Sequence, residues 1–158
     1  MFKHMPRYEK IWLTLGAASL VVFLAILGFM AVGLGLDAPG HMDTIVPAQA
    51  MQTPPFDAPG LKQIGEKEYE LVMLGQVFAF APGEVNIPEG STVHFRITTP
   101  DVVHGLLIPG TNVNMMIVPG HITEFTYTFR KAGDYLMLCN EYCGVGHHLM
   151  MGKLIVQA

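Results

Sequence analysis

Six residues near the C-terminus are of the types that bind soft metal ions, and they lie close together. Residues 139–152 read CNEYCGVGHHLMMG and contain both cysteines of the chain, two adjacent histidines and two adjacent methionines. The spacing C-x3-C-x3-H-x2-M places Cys139, Cys143, His147 and Met150 in one short loop. Thiolate, imidazole and thioether ligands together favour copper or a similarly soft ion. The loop therefore predicts a metal site.

Several arrangements of these ligands remain open from the sequence. A tetrahedral zinc site could use Cys139, Cys143, His147 and a distant histidine, but it would leave Met150 without a role. A single blue-copper ion takes two histidines, one cysteine and a weak axial methionine, which leaves one thiolate unpaired. In an oxidising compartment the two cysteines could instead form a disulfide. Two copper ions bridged by both sulfur atoms would use every ligand.

The copper arrangements need a second histidine from outside the loop. The remaining histidines are His4, His41, His94, His104 and His121. His104 follows a Pro-Asp turn in TPDVVHG, at the end of a predicted strand. Because the end loops of a β-sandwich cluster, the separation of His104 from Cys139 along the chain is no obstacle. Spacing alone favours His104 without excluding every other candidate.

A long apolar segment precedes the part of the chain that must hold this site. Residues 11–36 contain no Asp, Glu, Lys, Arg or His. As a helix they would reach ~39 Å, more than the ~30 Å of a bilayer core. A cleaved signal peptide has a shorter apolar region, although Ala48-Gln49-Ala50 resembles a cleavage site. We therefore expect a retained transmembrane helix over 11–36.

The flanking charges predict how this helix is oriented. Lys3, Arg7 and Lys10 precede it, and no Lys or Arg follows until Lys62. The positive-inside rule then places residues 1–10 in the cytoplasm and residues 37–158 on the periplasmic or outer side. The outer part carries six Lys and Arg against twelve Asp and Glu, a formal charge of −6. This balance argues against a nucleic-acid partner and is compatible with a basic soluble one.

The rest of the chain has the pattern of a β-sandwich. Residues 37–67 are predicted to be a linker, because Pro and Gly recur through their first two thirds. In residues 68–158 apolar and polar positions alternate, as in STVHFRIT and TEFTYTF, and Gly and Pro turns separate the segments. Short segments of period two indicate an antiparallel β-sandwich or barrel. We expect 68–158 to be the domain that binds the metal.

The motifs DVVHG, GTNVN, VPG, YTF and GDYLMLCNEYCGVGHHLMMG resemble subunit II of the haem–copper cytochrome oxidases, which carries the binuclear copper centre CuA. The single apolar span and the short domain are most similar to the B-type (ba-type) branch. The resemblance implies a mainly β, cupredoxin-like Greek-key β-sandwich or barrel behind one transmembrane α-helix. It implies, at matching positions, a ligand set of His104, Cys139, Glu141 through its carbonyl, Cys143, His147 and Met150. The neighbours His148 and Met151 are interpreted as structural.

The same resemblance implies a function. The chain would be the electron-transfer subunit of a respiratory cytochrome c oxidase in the inner membrane. It would accept electrons from cytochrome c and pass them to haem in subunit I, where oxygen is reduced to water with proton pumping. The chain alone would catalyse nothing. Alternatives are the CuA subunit of a nitric oxide reductase, a membrane-anchored copper carrier, and a sandwich stapled by zinc or a disulfide and used only for binding.

Four further residues have an expected functional role, and each also has a simpler structural interpretation. Phe78 and Phe80 in QVFAFAP would form an apolar docking patch for cytochrome c, or else belong to the sandwich core. Glu9 would lie at the entrance of a proton path into subunit I, or else be an interfacial charge balanced by Lys10. The Glu141 carboxylate would bind a magnesium ion, or else be solvated.

Overall fold

The computed structural model describes residues 5–34 and 43–158. They divide between two compact units, Met1–Ala38 and Pro39–Ala158. The first unit contains helix α1 (Arg7–Leu34). It is the one helix in the described residues that is long and apolar enough to cross a membrane, and none of the side chains in its most apolar stretch is buried. A helix that is apolar on all sides suits a lipid environment. It begins at Arg7 rather than at the predicted Ile11, and residues 35 and 36 lie outside the described residues.

The second unit consists almost entirely of β-strands. In chain order they are β1 (Gly60–Gly65), β2 (Glu68–Gln76), β3 (Ala79–Ala81), β4 (Glu84–Pro88), β5 (Ser91–Thr98), β6 (His104–Leu107), β7 (Asn114–Ile117), β8 (Thr123–Phe129), β9 (Gly133–Leu138) and β10 (Met151–Gln157). One sheet has the order β1-β2-β5-β8, with β3 paired to β2, and the other has the order β4-β10-β9-β6-β7. The prediction of a two-sheet sandwich that follows one apolar helix along the chain is confirmed.

The pairing corrects one detail of that prediction. Most neighbouring strands are antiparallel, but β2 pairs with β5 and β10 pairs with β4 in parallel. In both pairs the strands are distant enough in sequence to be joined by a longer connection, which parallel pairing requires. Alternation of apolar and polar residues reveals a half-buried strand but contains no information about the direction of its partner.

The predicted linker 37–67 is also wrong for the residues that the structure describes. Residues Pro47–Gln52 form a 3₁₀-helix, and β1 pairs with β2 in antiparallel register from Gly60↔Val72. The side chains of Ala50 and Phe56 are buried in a second apolar cluster with Val72, Leu74 and Ile122. Proline is tolerated at the first position of a helical turn, so these prolines mark turns inside the domain rather than a flexible tether.

The main core lies between the two sheets and fixes the strands that carry the predicted metal-binding residues. Val93, Phe95 and Ile97 of β5 are fully buried, as their alternation with polar residues predicts. Phe129 packs edge-on against Tyr127 and Tyr135 at centroid distances of 4.8 and 5.1 Å. Fully burying such a side chain contributes about 1.5–3 kcal/mol. The result is a rigid frame for the loops at its ends.

Strand ends bring the two parts of the site together. β9 and β10 are antiparallel neighbours, with Met151 opposite Leu138, so the loop 139–150 is closed at its base. The Cys139 N–H donates a hydrogen bond of 3.2 Å to the Met150 carbonyl, which extends this pairing into the loop. β6 pairs with β9 through Leu107 and Leu138. His104 at the start of β6 is thereby placed beside the loop.

Candidate metal centre

Sulfur and nitrogen atoms from β6 and the loop 139–150 converge at one end of the sandwich. One ligand atom each from His104, Cys139 and Cys143 lies within 4.8 Å of the others, and all three residues are buried. The two thiol sulfurs are 3.9 Å apart, and both cysteines are free. A disulfide needs about 2.05 Å between the sulfurs. The two cysteines therefore present separate sulfur atoms to the site.

The remaining predicted donors surround these sulfurs. Cys143 Sγ is 3.5 Å from His147 Nδ1 and 3.8 Å from Met150 Sδ. Cys139 Sγ is 3.9 Å from His104 Nδ1 and 3.2 Å from the Glu141 carbonyl oxygen. Each sulfur thus has one imidazole and one weaker donor beside it. The structure brings together all six residues that the sequence proposes as ligands.

The neighbouring histidines and methionine are directed elsewhere. His148 and Met151 are exposed, although each follows a donor residue in sequence. His94 shares a 2.9 Å hydrogen bond with Thr126 on the outer face of its sheet, and His121 is exposed in a loop. His4 and His41 lie outside the described residues. Among the described histidines, only His104 and His147 have a ring nitrogen at the cysteine sulfurs.

Asp101 holds His104 in place, a role that the sequence analysis did not assign. Its Oδ1 accepts a 2.8 Å hydrogen bond from His104 Nε2. Because a carboxylate only accepts, His104 Nε2 carries the hydrogen and the Nδ1 lone pair is free for a metal. Metal-binding histidines commonly donate their second nitrogen to such a partner. The signal in the sequence is an aspartate three residues before the histidine, in DVVH.

The environment of Asp101 favours its charged form. The carboxylate also accepts hydrogen bonds from the Val77 N–H at 2.8 Å and from the Thr99 hydroxyl at 2.8 Å. Burial alone would raise the pKa of Asp101, but the hydrogen bonds from His104, Val77, Val102 and Thr99 outweigh it and lower this pKa below its usual value. A charged Asp101 therefore orients His104 at neutral pH.

The Cys143 thiol, by contrast, favours its neutral form in the metal-free chain. Burial, followed by the neighbouring Cys139, raises the pKa of the Cys143 thiol to about 11. A thiolate without a positive partner is unfavourable in such a place. Cysteine binds metals as the thiolate, so a bound metal ion must displace this proton and supply the missing positive charge. A bound cation would therefore stabilise the thiolate form of Cys143.

The chemistry of the donors fits copper better than zinc. Met150 is 2% exposed and its sulfur faces Cys143. A zinc site would be complete with two cysteines and two histidines, and it would leave this buried thioether without a function. Thioether and thiolate donors beside imidazole are typical of copper. The six donors therefore fit a copper centre.

The two phenylalanines of the predicted docking patch lie in different environments. Phe80 is 4% exposed and belongs to the main core, so the expectation that it forms a docking surface is wrong. Alternating residues of a strand face opposite ways, and β3 directs Phe80 inward. Phe78 is half-buried and packs against the edge of the same core. Because it is only partly buried, Phe78 can still contribute to a surface.

Apolar side chains that the sequence analysis did not single out surround the site. Tyr142 is 73% exposed, and its ring centroid lies 5.9 Å from that of His147. Val77, Val145 and Leu149 are also exposed. Loop residues have no periodicity from which exposure can be predicted, so their exposure emerges only from the structure.

Glu141 and Glu9 are both exposed, Glu9 in the first turn of α1.

Comparison with known proteins identifies the family. Residues 71–158 match the family model described as cytochrome c oxidase subunit II, periplasmic domain. A cytochrome c oxidase subunit 2 of Thermus thermophilus is 34% identical over 159 aligned positions, which cover 98% of this chain and 95% of that protein. A second Thermus thermophilus sequence of the same name is 34% identical over 78% of this chain and 93% of its own length.

Solved structures agree with this assignment. A chain in the cryo-EM structure of a haem–copper terminal oxidase dimer superposes with a TM-score of 0.81 at 38% identity, covering 96% of this chain and all of that one. The periplasmic domain of subunit II of cytochrome oxidase from Bradyrhizobium japonicum has a TM-score of 0.52 at 19% identity, covering 56% of this chain and 83% of that one. The latter similarity concerns the fold alone, and it agrees with the expected cupredoxin-like β-sandwich. The chain belongs to the cytochrome c oxidase subunit II family.

Proposed function

We propose that this chain is the electron-transfer subunit of a haem–copper cytochrome c oxidase and that it holds a binuclear CuA centre. The observation that carries the proposal is the convergence of His104, Cys139, Cys143, His147 and Met150 on one buried cluster. The Glu141 carbonyl adds a sixth donor. Two thiolates, two imidazoles and two weaker donors are more than one copper ion takes, and they suit two ions that share both sulfurs.

Copper bound by this set supplies a one-electron redox centre. The chain's own contribution is to hold the donors in fixed positions and to shield most of them from water. His104, Cys139, Cys143 and Met150 are all buried. His104 begins β6, and β9 and β10 hold the two ends of the loop that carries the other three. Donors that move little when the charge changes keep the reorganisation energy low. Fast transfer at a small driving force follows from that rigidity.

The proposed partners are an electron donor and an electron acceptor. A cytochrome c would deliver electrons, and its docking would use the exposed apolar side chains beside the site together with the exposed edge of Phe78. The formal charge of −6 on residues 37–158 would steer a basic donor more than it would add affinity. The acceptor would be haem in subunit I, where oxygen is reduced. Segment Arg7–Leu34 contains no histidine that could bind haem itself.

A copper carrier is a weaker explanation of the same residues. Carriers exchange their ion readily, which calls for exposed donors, whereas four of the side-chain donors here are buried. The relatives that match nearly the whole chain are named as cytochrome c oxidase subunits, which favours oxygen over nitric oxide as the final acceptor.

The proposal is tested by purifying the full chain from its own membrane with whatever is bound to it. A haem-containing polytopic subunit should accompany it, and the complex should oxidise reduced cytochrome c with consumption of oxygen. Recovery of the chain without a haem subunit, holding copper that a mild chelator removes at once, would favour a carrier. Reduction of nitric oxide without oxygen consumption would assign the complex to the reductases.

The helix and the family domain support a proposed membrane placement. One apolar helix and a periplasmic-type domain fit a single-pass membrane protein. We infer an N-terminus in the cytoplasm and a copper domain on the periplasmic side of the inner membrane, because Lys3, Arg7 and Lys10 precede the helix.

Replacing Met150 with leucine is expected to change the reduction potential while two copper ions remain bound. The side chain keeps its size in a buried position, and the lost thioether is a weak ligand that tunes the potential. Redox titration of the copper-loaded chain measures the change, with Met151→Leu, an exposed neighbour, as the matched control. Complete loss of copper from Met150→Leu would contradict a weak-ligand role.

We propose that Glu9 lies at the entrance of a proton path, so Glu9→Gln is expected to slow turnover of the assembled oxidase, because the amide cannot take up and release a proton. The side chain is exposed in the first turn of α1, where a partner subunit could use it. Oxygen consumption per complex measures the effect, and Glu66→Gln, in the exposed β1–β2 turn, is the control. Unchanged turnover would leave Glu9 as an interfacial charge.

Glu141 has a separate proposed role. Its carbonyl faces Cys139 while its side chain is exposed, so the carboxylate is free to bind another ion. Magnesium favours such oxygen ligands and keeps several waters. We propose this carboxylate as a magnesium ligand, shared with residues of subunit I.

A further inference from the structure

We infer that Phe78 is a positioning residue that braces the metal-binding loop from outside. The inference rests on the proposed copper site and goes beyond it, because it assigns the geometry of the loop to a side chain that binds no metal. Phe78 and Val77 are the two residues between β2 and β3, where Gln76 pairs with Ala79. This two-residue turn contacts both halves of the donor set.

The ring of Phe78 lies directly against two glycines of the loop. A Cβ placed on Gly146 would be 2.7 Å from Phe78 Cγ, and one placed on Gly144 would be 3.0 Å from Phe78 Cε1. Real Cβ atoms essentially never approach another atom to less than 3.0 Å, so any side chain at Gly146 would displace either the ring or the loop. Gly144 also has a φ of +131°, which L-residues rarely adopt. The ring thus occupies space that a side chain at Gly146 would need.

Both glycines lie between two of the loop's donor residues, Cys143 and His147. Gly144 directly follows Cys143, and Gly146 directly precedes His147. A shift of either glycine away from the ring would move Cys143 Sγ relative to His147 Nδ1, which are now 3.5 Å apart. The ring of Phe78 therefore sets the spacing between a thiolate and an imidazole that are both proposed ligands.

The backbone of the same turn reaches the other half of the site. The Val77 N–H donates a 2.8 Å hydrogen bond to Asp101 Oδ2, while Asp101 Oδ1 accepts from His104 Nε2 at 2.8 Å. The turn is therefore tied through one carboxylate to His104 and through one ring to the loop. Phe78 also packs against the main core, so the ring cannot retreat without disturbing the β2–β3 hairpin.

This arrangement gives the site its shape before metal binds. Donors whose positions are locked by packing and outer hydrogen bonds bind a metal more tightly and rearrange less. The brace also explains why the loop tolerates glycine at two positions between ligands, where a flexible segment would otherwise be unfavourable for a rigid centre. Phe78 is thus more than an apolar surface residue.

The test is copper affinity in the full-length chain, measured by competition with a copper chelator. Phe78→Leu is expected to weaken copper binding, and Phe78→Ala to weaken it further, by about 10- to 100-fold, as for other groups that orient metal ligands. The matched control is Phe129→Leu, a core phenylalanine that packs on Phe95, Tyr127 and Tyr135. The control should lower the melting temperature while copper affinity changes less than about twofold.

A double-mutant cycle separates bracing from general destabilisation. Gly146→Ala should weaken copper binding, because its new Cβ collides with Phe78. In the Phe78→Ala background the space is free, so Gly146→Ala should cost at least about tenfold less affinity than it does alone. A change in the copper EPR spectrum of Phe78→Leu, absent from Phe129→Leu, should accompany the loss.

Two outcomes would overturn the inference. One is a Phe78→Leu affinity no lower than that of Phe129→Leu, and the other is strict additivity of the Phe78 and Gly146 substitutions. A wild-type chain that binds no copper pair would instead overturn the proposed function, so the two failures can be told apart.

Discussion

Cys143→Ser is expected to abolish the binuclear centre and to leave at most one copper ion per chain. The Cys143 sulfur has three other proposed donors beside it. It lies 3.5 Å from His147 Nδ1, 3.8 Å from Met150 Sδ and 3.9 Å from Cys139 Sγ. Serine is nearly the same size, but its oxygen is a hard ligand that does not bridge two copper ions as a thiolate does. The measurement is copper content together with the EPR spectrum.

The matching control uses the exposed first residue of β10, which directly follows the loop. Met151→Leu changes an exposed side chain next to Met150 and should keep both copper ions and the spectrum of the wild type. Circular dichroism of metal-free Cys143→Ser should show an intact sandwich, because the substitution is conservative in volume. A Cys143→Ser chain that retains two copper ions with an unchanged spectrum would disprove the bridging role.

Asp101→Ala is expected to have the second largest effect, on both stability and copper binding. It removes the acceptor of four donors: His104 Nε2, the Val77 and Val102 N–H groups and the Thr99 hydroxyl. His104 and Thr99 are completely buried. Leaving buried donors without a partner costs about 1–3 kcal/mol each, and water can reach part of this network, so we expect a total near 2–4 kcal/mol.

The loss of Asp101 should also free the ring of His104. Nothing would then select the tautomer whose Nδ1 faces Cys139, and copper affinity should fall by about 10- to 100-fold. Thermal melting of the metal-free chain and chelator competition of the loaded chain measure the two effects. Asp101→Asn, which keeps an acceptor oxygen, should lie between Asp101→Ala and wild type.

A surface carboxylate provides the control for Asp101. Asp134 forms an exposed ion pair of 2.7 Å with Lys153, and exposed pairs contribute little to stability. Asp134→Ala should change melting far less than Asp101→Ala and should leave copper affinity unchanged. Equal effects of the two substitutions would mean that Asp101 acts only through surface charge.

The sequence predicted those features that local patterns encode. The uninterrupted apolar run predicted α1, and alternation in STVHFRIT predicted a strand with Val93, Phe95 and Ile97 buried. The ligand loop was recognisable because its donors are close in sequence. His104 was one of several candidates on spacing alone, and the resemblance to the oxidase family selected it.

Other features depend on partners that the local sequence does not reveal. Strand β1 has no clear alternation, and its identity comes from pairing with β2. The prolines around Pro47–Gln52 suggested a tether. The burial of Ala50 and Phe56 against Ile122 is a long-range contact, which the local sequence does not reveal. Phe78 and Phe80 are two residues apart in one motif, yet one braces the loop and the other fills the core. The role of Asp101 likewise becomes visible only when Val77 and His104 are seen on its two oxygens.

The central claim is that this donor set holds two copper ions that share one unpaired electron. It is tested most directly by loading the purified full-length chain with copper, counting the ions and recording the EPR spectrum of the oxidised form. Two ions per chain and a seven-line mixed-valence signal are the expected result. One ion per chain with a four-line signal, or preferential retention of zinc, would contradict it.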